Sequence, residues 1–138
     1  LSVCTGALLL GAAGLLVGRR ATTYWNAVHL LPLFGAEPVD ERVVLDRDAD
    51  GRRWVFAAGV TAGIDGALRL AAELRGDEAA RTIQLGMQYA PEPPFDSGTP
   101  RTASPATVAR VRAAAADITA RREATARAIA ADLGIRIS

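Results

Sequence analysis

Residues 1–18 read LSVCTGALLLGAAGLLVG, and the rest of the chain is interpreted from this stretch. Residues 1–3 predict the end of a buried strand, and residues 5–17 predict a helix that Gly18 ends. Because residues 5–17 contain no large polar side chain, we expect this helix to be buried on most sides. The sequence therefore predicts that Cys4 stands at a turn from a strand into a helix.

Two glycines, Gly11 and Gly14, lie inside this predicted helix. Each costs about 1 kcal/mol of helix propensity relative to Ala. Such a cost indicates that a neighbouring strand or backbone comes very close to the helix at these positions.

The remaining segments alternate between strand and helix signals, which is an α/β pattern. The turn at 46–51 predicts a hairpin, and the apolar set of the helix that follows it is Ile64, Leu68, Leu70, Ala71 and Leu74. The segment 89–105 contains five prolines and is expected to be extended and ordered only by packing. The predicted strands are 20–23, 42–45 and 54–57, and the predicted helices are 25–34, 61–75, 77–87 and, as one unbroken helix, 106–133.

Composition excludes several classes of function. The chain has 138 residues and a net charge of +1, so the overall charge indicates neither a nucleic acid nor a membrane surface as partner. The apolar run at 7–17 is too short to span a bilayer, and its positive charges follow it, unlike those of a signal peptide. One cysteine excludes an internal disulfide and a multi-cysteine metal site, and it fits a reducing, cytoplasmic setting.

The C-terminal segment 101–138 is rich in Arg, which could suggest DNA binding. A helix-turn-helix needs a break between two short helices, and the sequence predicts none between 106 and 133. We therefore expect a single helix that docks on the domain or on a second subunit, and no nucleic acid as partner. The chain begins with Leu inside an apolar stretch, which favours the C-terminal part of a longer protein, or a processed or truncated gene product.

A cysteine at a strand-to-helix turn is a candidate nucleophile. The turn exposes the side chain above the edge of the sheet where ligands bind in open α/β folds. The backbone N–H groups of Thr5 and Gly6 can then stabilise a developing negative charge, and the helix dipole favours the thiolate. Gly6 fits this position because we expect a side chain there to crowd the turn. The alternative is that Cys4 is a small buried hydrophobic residue, the commonest fate of a free cysteine.

Three blocks of the sequence resemble the ThiJ/PfpI superfamily. They are SVCTGALLLGAAGLL with GRRATT at 2–23, AGVTAGID at 58–65 and PPFDSG at 93–98. The resemblance implies the C-terminal part of a flavodoxin-like, glutamine-amidotransferase-like parallel-sheet sandwich with a hairpin and an added C-terminal helix. Residues 1–100 would belong to that domain and residues 101–138 to a helical extension. It also implies a homodimer.

Within the superfamily these blocks most resemble isonitrile hydratases and the sensor domains of AraC-type regulators. The resemblance implies a cysteine-dependent hydro-lyase without a cofactor, in which Cys4 is the nucleophile and Thr5 the threonine beside it. It places Thr61 near the site. Relatives often have His where this chain has Tyr24, so Tyr24 is expected to hydrogen-bond the small-molecule substrate or to pack. The family's acidic residue from its first strand has no counterpart here. The alternative function is a ligand-sensing domain without turnover.

Three further candidates have simpler interpretations. His29, the only histidine, is expected to be a surface or partly packed residue. Asp65 follows Thr61 at i+4 and is expected to stabilise the start of its helix. The acidic turn 46–51 resembles the start of a calcium loop but lacks the downstream Glu, so we interpret it as a solvated hairpin turn and predict no metal site.

Overall fold

A computed structural model describes residues 1–135 of the chain. It contains five strands, five α-helices and one long 3-10 helix within that range. In chain order they are β1 (Ser2–Val3), α1 (Gly6–Ala12), β2 (Arg20–Ala21), the 3-10 helix (Trp25–Phe34), β3 (Glu37–Pro38), β4 (Val43–Arg47), β5 (Arg53–Ala57), α2 (Ala62–Arg75), α3 (Asp77–Gly86), α4 (Pro105–Ala114) and α5 (Ala116–Asp132).

The main sheet has the strand order β1-β5-β4. Strand β1 pairs in parallel with β5, with Ser2 opposite Phe56, and β5 pairs antiparallel with β4, which confirms the predicted hairpin. Strands β2 and β3 form a separate parallel pair. The sequence did not predict β3, because Glu37 and Pro38 are exposed and carry no apolar alternation.

Side chains of β5 alternate between two packed layers, as the pleat of a strand requires. Phe56 is fully buried in the core that the sheet shares with α1, the 3-10 helix and α5. Val55 and Ala57 face α2 on the other side. The chain is thus a mixed α/β sandwich, as predicted. The larger members of the main core are Leu16, Leu30, Leu31, Phe34, Val44 and Phe56.

Helix α1 ends at Ala12, five residues before the predicted end. Gly14 adopts a left-handed φ of 72°, its N–H donates to Gly11 O at 2.9 Å, and the N–H of Leu15 donates to Leu10 O at 3.0 Å. These two bonds form a Schellman motif, which terminates a helix at a glycine. Gly14 therefore ends the helix instead of allowing close packing. The expectation of burial on most sides was also wrong, because Leu9 is 75% exposed.

Gly11 does mark a close approach, although the neighbour is a side chain and not the predicted strand or backbone. A Cβ built on Gly11 would overlap the ring of Phe34, which is buried in the core. The glycine lets α1 lie directly on the 3-10 helix.

The predicted apolar face of α2 is not the face that packs on the sheet. Its buried residues are Ala62 and Gly66, and a Cβ on Gly66 would lie 3.0 Å from the Cβ of Ala57. Ile64 and Leu74 are exposed. Small residues pack here because they bring the helix backbone close to the strands.

The predicted unbroken helix 106–133 is two helices that meet at Ala115, whose φ of −103° and ψ of 5° lie outside the helical range. Ser104 caps α4 by accepting from the N–H of Thr107 at 3.2 Å, as predicted. Ala126 and Ala130 of α5 are buried against the core, whereas α4 has no buried residue. Among residues 1–135, no helix is long and apolar enough to cross a membrane.

Candidate functional site

Cys4 adopts a left-handed backbone conformation, with φ at 55°. Its N–H donates to the carbonyl of Ala57 at 2.9 Å, which continues the β1–β5 ladder by one residue, and α1 begins two residues later. A non-glycine residue in this region costs about 1–2 kcal/mol. Such conformations cluster at functional sites, where surrounding structure holds them. Cys4 is a free cysteine and the residue is half-buried. The predicted strand-to-helix turn at Cys4 is confirmed, because it lies between β1 and α1.

The carbonyl of Cys4 is held by a side chain from another segment. The hydroxyl of Thr23 donates to it at 2.7 Å, and Thr23 is fully buried. A hydrogen bond of this kind contributes about 1 kcal/mol, similar in size to the cost of the left-handed turn. The N–H and the carbonyl of the candidate nucleophile are therefore both fixed.

Of the two residues after Cys4, Thr5 agrees with the expectation and Gly6 does not. Thr5 precedes α1 without a side-chain capping bond, which leaves its hydroxyl available. A Cβ built on Gly6 would approach only the Cβ of Ser2, at 3.9 Å, an ordinary contact. The expectation that a side chain at Gly6 would crowd the turn was therefore wrong.

We call the strand-to-helix turn at residues 3–6 the elbow. A cavity of about 320 Å³ is lined by residues that follow the elbow's hydrogen-bond partners in the chain. It brings together two predicted site residues, Tyr24 and Thr61. Cys4, Thr5 and Gly6 are not part of its lining. Cys4 is connected to it through hydrogen bonds with Thr23 and Ala57, which directly precede the wall residues Tyr24 and Ala58. The cavity is lined by Tyr24, Trp25, Asp40, Glu41, Arg42, residues 58–61 and residues 98–101.

Arg42 joins this cavity to α2. Its Nη2 donates to the Thr61 hydroxyl at 3.2 Å, and its Nε forms an ion pair with Asp65. The other carboxylate oxygen of Asp65 accepts from the Tyr89 hydroxyl at 2.6 Å. Asp65 therefore links α2 with the residue before β4 and with the proline-rich segment, and does not simply stabilise the start of its helix as expected.

The charge state of this cluster follows from these bonds. The hydrogen bond and the charge of Asp65 raise the pKa of Arg42 above its ordinary value. The hydrogen bond to Asp65 also raises the pKa of Tyr89, because a phenolate would lose that bond and face a carboxylate. Arg42 is thus a cation and Tyr89 a neutral donor at neutral pH.

The proline-rich segment forms one side of the cavity. Arg101 makes an ion pair with Asp40, and residues 98–101 lie against Tyr24 and Trp25. The guanidinium of Arg112 on α4 stacks over the Trp25 ring at 5.5 Å. Sequence reasoning missed Trp25, Arg42 and Arg101 as wall residues, and it missed Tyr89 as a partner of Asp65. Two features of the sequence could have indicated them. One is the aromatic pair Tyr24-Trp25 after two threonines, and the other is Arg42 directly before β4.

The simpler candidates stay outside the site. The side chain of His29 is exposed on the 3-10 helix. In the acidic turn, Asp48 accepts from the N–H of Arg52 at 2.8 Å, as in an ordinary hairpin. Among residues 1–135, no group of His, Cys, Asp or Glu side chains is arranged to hold a metal ion.

The fold and the elbow define an α/β protein with a cysteine presented at a strand-to-helix turn. A DJ-1/PfpI family model matches residues 1–73, and the chain belongs to this family. It is 54% identical over 136 residues to an isonitrile hydratase of Pseudomonas putida, covering 98% of this chain and 57% of that protein. It is 37% identical over 87 residues to the HTH-type transcriptional regulator CdhR of Pseudomonas aeruginosa, covering 62% of this chain and 24% of the regulator.

A solved structure supports the same fold. The crystal structure of a ThiJ/PfpI family protein from Pseudomonas syringae superposes with a TM-score of 0.74 at 45% identity, covering 94% of this chain and 50% of that one. The chain therefore spans about half the length of the hydratase and of the protein in the solved structure.

Proposed function

We propose that this chain is part of a cysteine-dependent hydro-lyase that adds water to isonitriles. The observation that carries the proposal is the left-handed Cys4 elbow, whose hydrogen-bond partners Thr23 and Ala57 each directly precede a residue that lines a cavity. The 54% identity to an isonitrile hydratase supports the choice of reaction.

In this reaction the sulfur of Cys4 would bond to the terminal carbon of R–N≡C, and that carbon would gain a proton to give a thioimidate. Water would then add to the same carbon while the C–S bond breaks. The product is the formamide R–NH–CHO, and the thiol is restored. The sum is isonitrile plus water, so no oxidant or reductant is consumed.

The neighbouring groups have matching roles in this proposal. The backbone N–H groups of Thr5 and Gly6 would stabilise developing negative charge. The Thr5 hydroxyl, which makes no capping bond to α1, would assist proton movement. Tyr24 and Thr61 would contact the substituent R in the cavity. The resemblance assigns the proton donor to an acidic residue of the family's first strand, which has no counterpart among these 138 residues.

The test uses the complete product of the gene that encodes this chain, because the chain spans 57% of the hydratase. Cyclohexyl isocyanide is supplied and N-cyclohexylformamide is followed by mass spectrometry. We expect turnover by the wild type and a loss of at least about 1000-fold in Cys4→Ala, because covalent catalysis needs the sulfur. Turnover in Cys4→Ala equal to the wild type would refute the proposal. Thr125→Ala, on the exposed surface of α5, is the matched control.

The second candidate is a ligand-sensing domain without turnover. The observation that favours it is the 37% identity to a transcriptional regulator over 87 residues. In that case isonitriles would bind, as calorimetry would show, without formamide being formed. A helix-turn-helix encoded downstream in the same reading frame would also favour the sensor.

We include the assembly and location in the proposal. The family resemblance favours a homodimer, which light scattering on the complete protein would test. A reducing, cytoplasmic setting would keep Cys4 as a reactive thiol.

A further inference from the structure

We propose that Thr23 is a positioning residue that locks the Cys4 elbow in its left-handed conformation and couples it to the cavity wall. The effect on turnover rests on the proposed function, whereas the effect on thiol reactivity does not. The inference starts from a single contact, the 2.7 Å hydrogen bond from the Thr23 hydroxyl to the Cys4 carbonyl.

That carbonyl depends on Thr23 because the turn leaves it without a backbone partner. Strand β1 ends at Val3, and the first helical bond of the next segment runs from the N–H of Leu8 to Thr5 O at 3.0 Å. Within residues 1–135, no backbone N–H donates to Cys4 O. A carbonyl in this position needs a side-chain donor if it is to stay paired away from water.

The hydroxyl is delivered by a rigid segment. Thr23 is fully buried, as are Ala21 and Thr22 before it, and β2 pairs with β3 at Ala21. Immediately after it, the N–H of Ala27 donates to Tyr24 O at 2.7 Å as the 3-10 helix begins. The donor therefore has little freedom to move away from the elbow.

The dipeptide Thr23–Tyr24 connects Cys4 to the cavity. Thr23 holds Cys4, and the next residue, Tyr24, lines the cavity. A change in the Thr23–Cys4 bond would alter the position of the sulfur relative to the cavity. The cavity itself, whose other walls come from residues 40–42, 58–61 and 98–101, would be retained.

The expected consequence is a loss of reactivity without a matching loss of binding. A left-handed non-glycine residue persists only when its surroundings hold it. Without the Thr23 hydroxyl, Cys4 can relax toward ordinary φ values and the sulfur leaves its working position. We expect kcat to fall by about tenfold while KM changes by less than about twofold, the pattern of an interaction needed in the transition state.

The experiment compares Thr23→Val, which keeps the shape and removes the hydroxyl, with Thr23→Ser, which keeps the hydroxyl. Thr22→Val is the matched control, since Thr22 is the buried neighbour and makes no bond to the elbow. Each variant of the complete protein is measured in three ways: the rate of Cys4 alkylation by iodoacetamide at fixed pH, kcat and KM with cyclohexyl isocyanide, and Tm.

We expect Thr23→Val to lower both the alkylation rate of Cys4 and kcat. Thr23→Ser, which keeps the hydroxyl, and Thr22→Val should both behave as the wild type. Equal behaviour of Thr23→Val and the wild type would overturn the inference, as would a Thr22→Val variant with the same defects. If no form hydrates isonitriles but alkylation still follows the Thr23 hydroxyl, the proposed function fails and the positioning role stands.

Thr23→Val could fail to fold, and a measurement on the wild type covers that case. The hydrogen-bonded Thr23 hydroxyl proton should exchange slowly and show a nuclear Overhauser contact with the backbone of Cys4 or Thr5. A hydroxyl proton that exchanges freely with water would overturn the inference without any variant.

Discussion

The elbow and the rim of the cavity, by which we mean the exposed wall residues Asp40 and Arg101, are stabilised by different kinds of interaction. At the elbow, buried or half-buried groups hold Cys4 through a 2.9 Å bond to Ala57 and a 2.7 Å bond from Thr23. At the rim, the ion pair between Arg101 and Asp40 joins side chains that are 67% and 80% exposed. Buried hydrogen bonds fix positions closely, whereas exposed ion pairs are screened by water and salt.

The difference indicates that the elbow and the rim have different roles. The proposed reaction needs one sulfur atom in one place, and the elbow supplies that through backbone geometry and packing. A rim held by exposed charges can change at little cost in stability. Substitutions at the two regions should therefore differ in size and in salt dependence.

The largest effect on stability is expected from Gly11→Ala, in the last turn of α1. The new Cβ would overlap the buried Phe34 ring, and we expect a loss of about 2 kcal/mol in the free energy of unfolding. This sign is opposite to the gain of about 1 kcal/mol that helix propensity alone predicts. Urea denaturation measures it.

Gly59→Ala in the cavity wall is the control for Gly11→Ala. A Cβ there would meet nothing within 4 Å, so we expect a change within about 0.5 kcal/mol. Equal losses at both glycines would remove the contrast between the two regions.

The next effect concerns the left-handed turn itself. We expect Cys4→Gly to be more stable than Cys4→Ala by about 1 kcal/mol, because glycine adopts a φ of 55° without steric cost. Thermal denaturation of both variants measures the difference. At Ala109 in α4, where φ is helical, the order should reverse and Gly should be worse than Ala by about 1 kcal/mol. The same order at both sites would argue against a left-handed Cys4.

A third prediction concerns pH at the Arg42–Asp65–Tyr89 cluster. The folded-state pKa of Tyr89 is raised, so its contribution to stability is complete below the ordinary tyrosine pKa and is lost as pH rises through the raised value. In Asp65→Asn, phenol absorbance should titrate at lower pH, because the main cause of the raised pKa is removed. Tyr89→Phe identifies the signal, and an unchanged titration in Asp65→Asn would contradict the assignment.

The smallest effect is expected at the rim. Arg101→Gln should cost at most about 0.5 kcal/mol at low salt, and the cost should vanish in 1 M NaCl. Chemical denaturation at the two salt concentrations measures it. A loss as large as that of Gly11→Ala, or one independent of salt, would show that the rim is held as firmly as the elbow.

Local sequence patterns determined much of this protein. The strand, Cys4 and helix order, the hairpin around 46–51, the helices after Thr61 and Gly76, and the Ser104 cap follow from short-range propensity, and the structure contains them. These features depend on a few neighbouring residues, which is why they are readable along the chain. The family resemblance at residues 2–23 also pointed to Cys4 as the candidate site residue.

Tertiary contacts decided the rest. Gly14 and Gly11 are the same residue type three positions apart, yet one ends α1 and the other admits the Phe34 ring. Arg42, Asp65 and Tyr89 lie far apart in sequence and meet only when β4, α2 and the proline-rich segment are packed. The bond from Thr23 to Cys4 likewise spans nineteen residues. Propensity reports what one segment favours by itself, and contacts between distant segments depend on how the folded layers bring their side chains together.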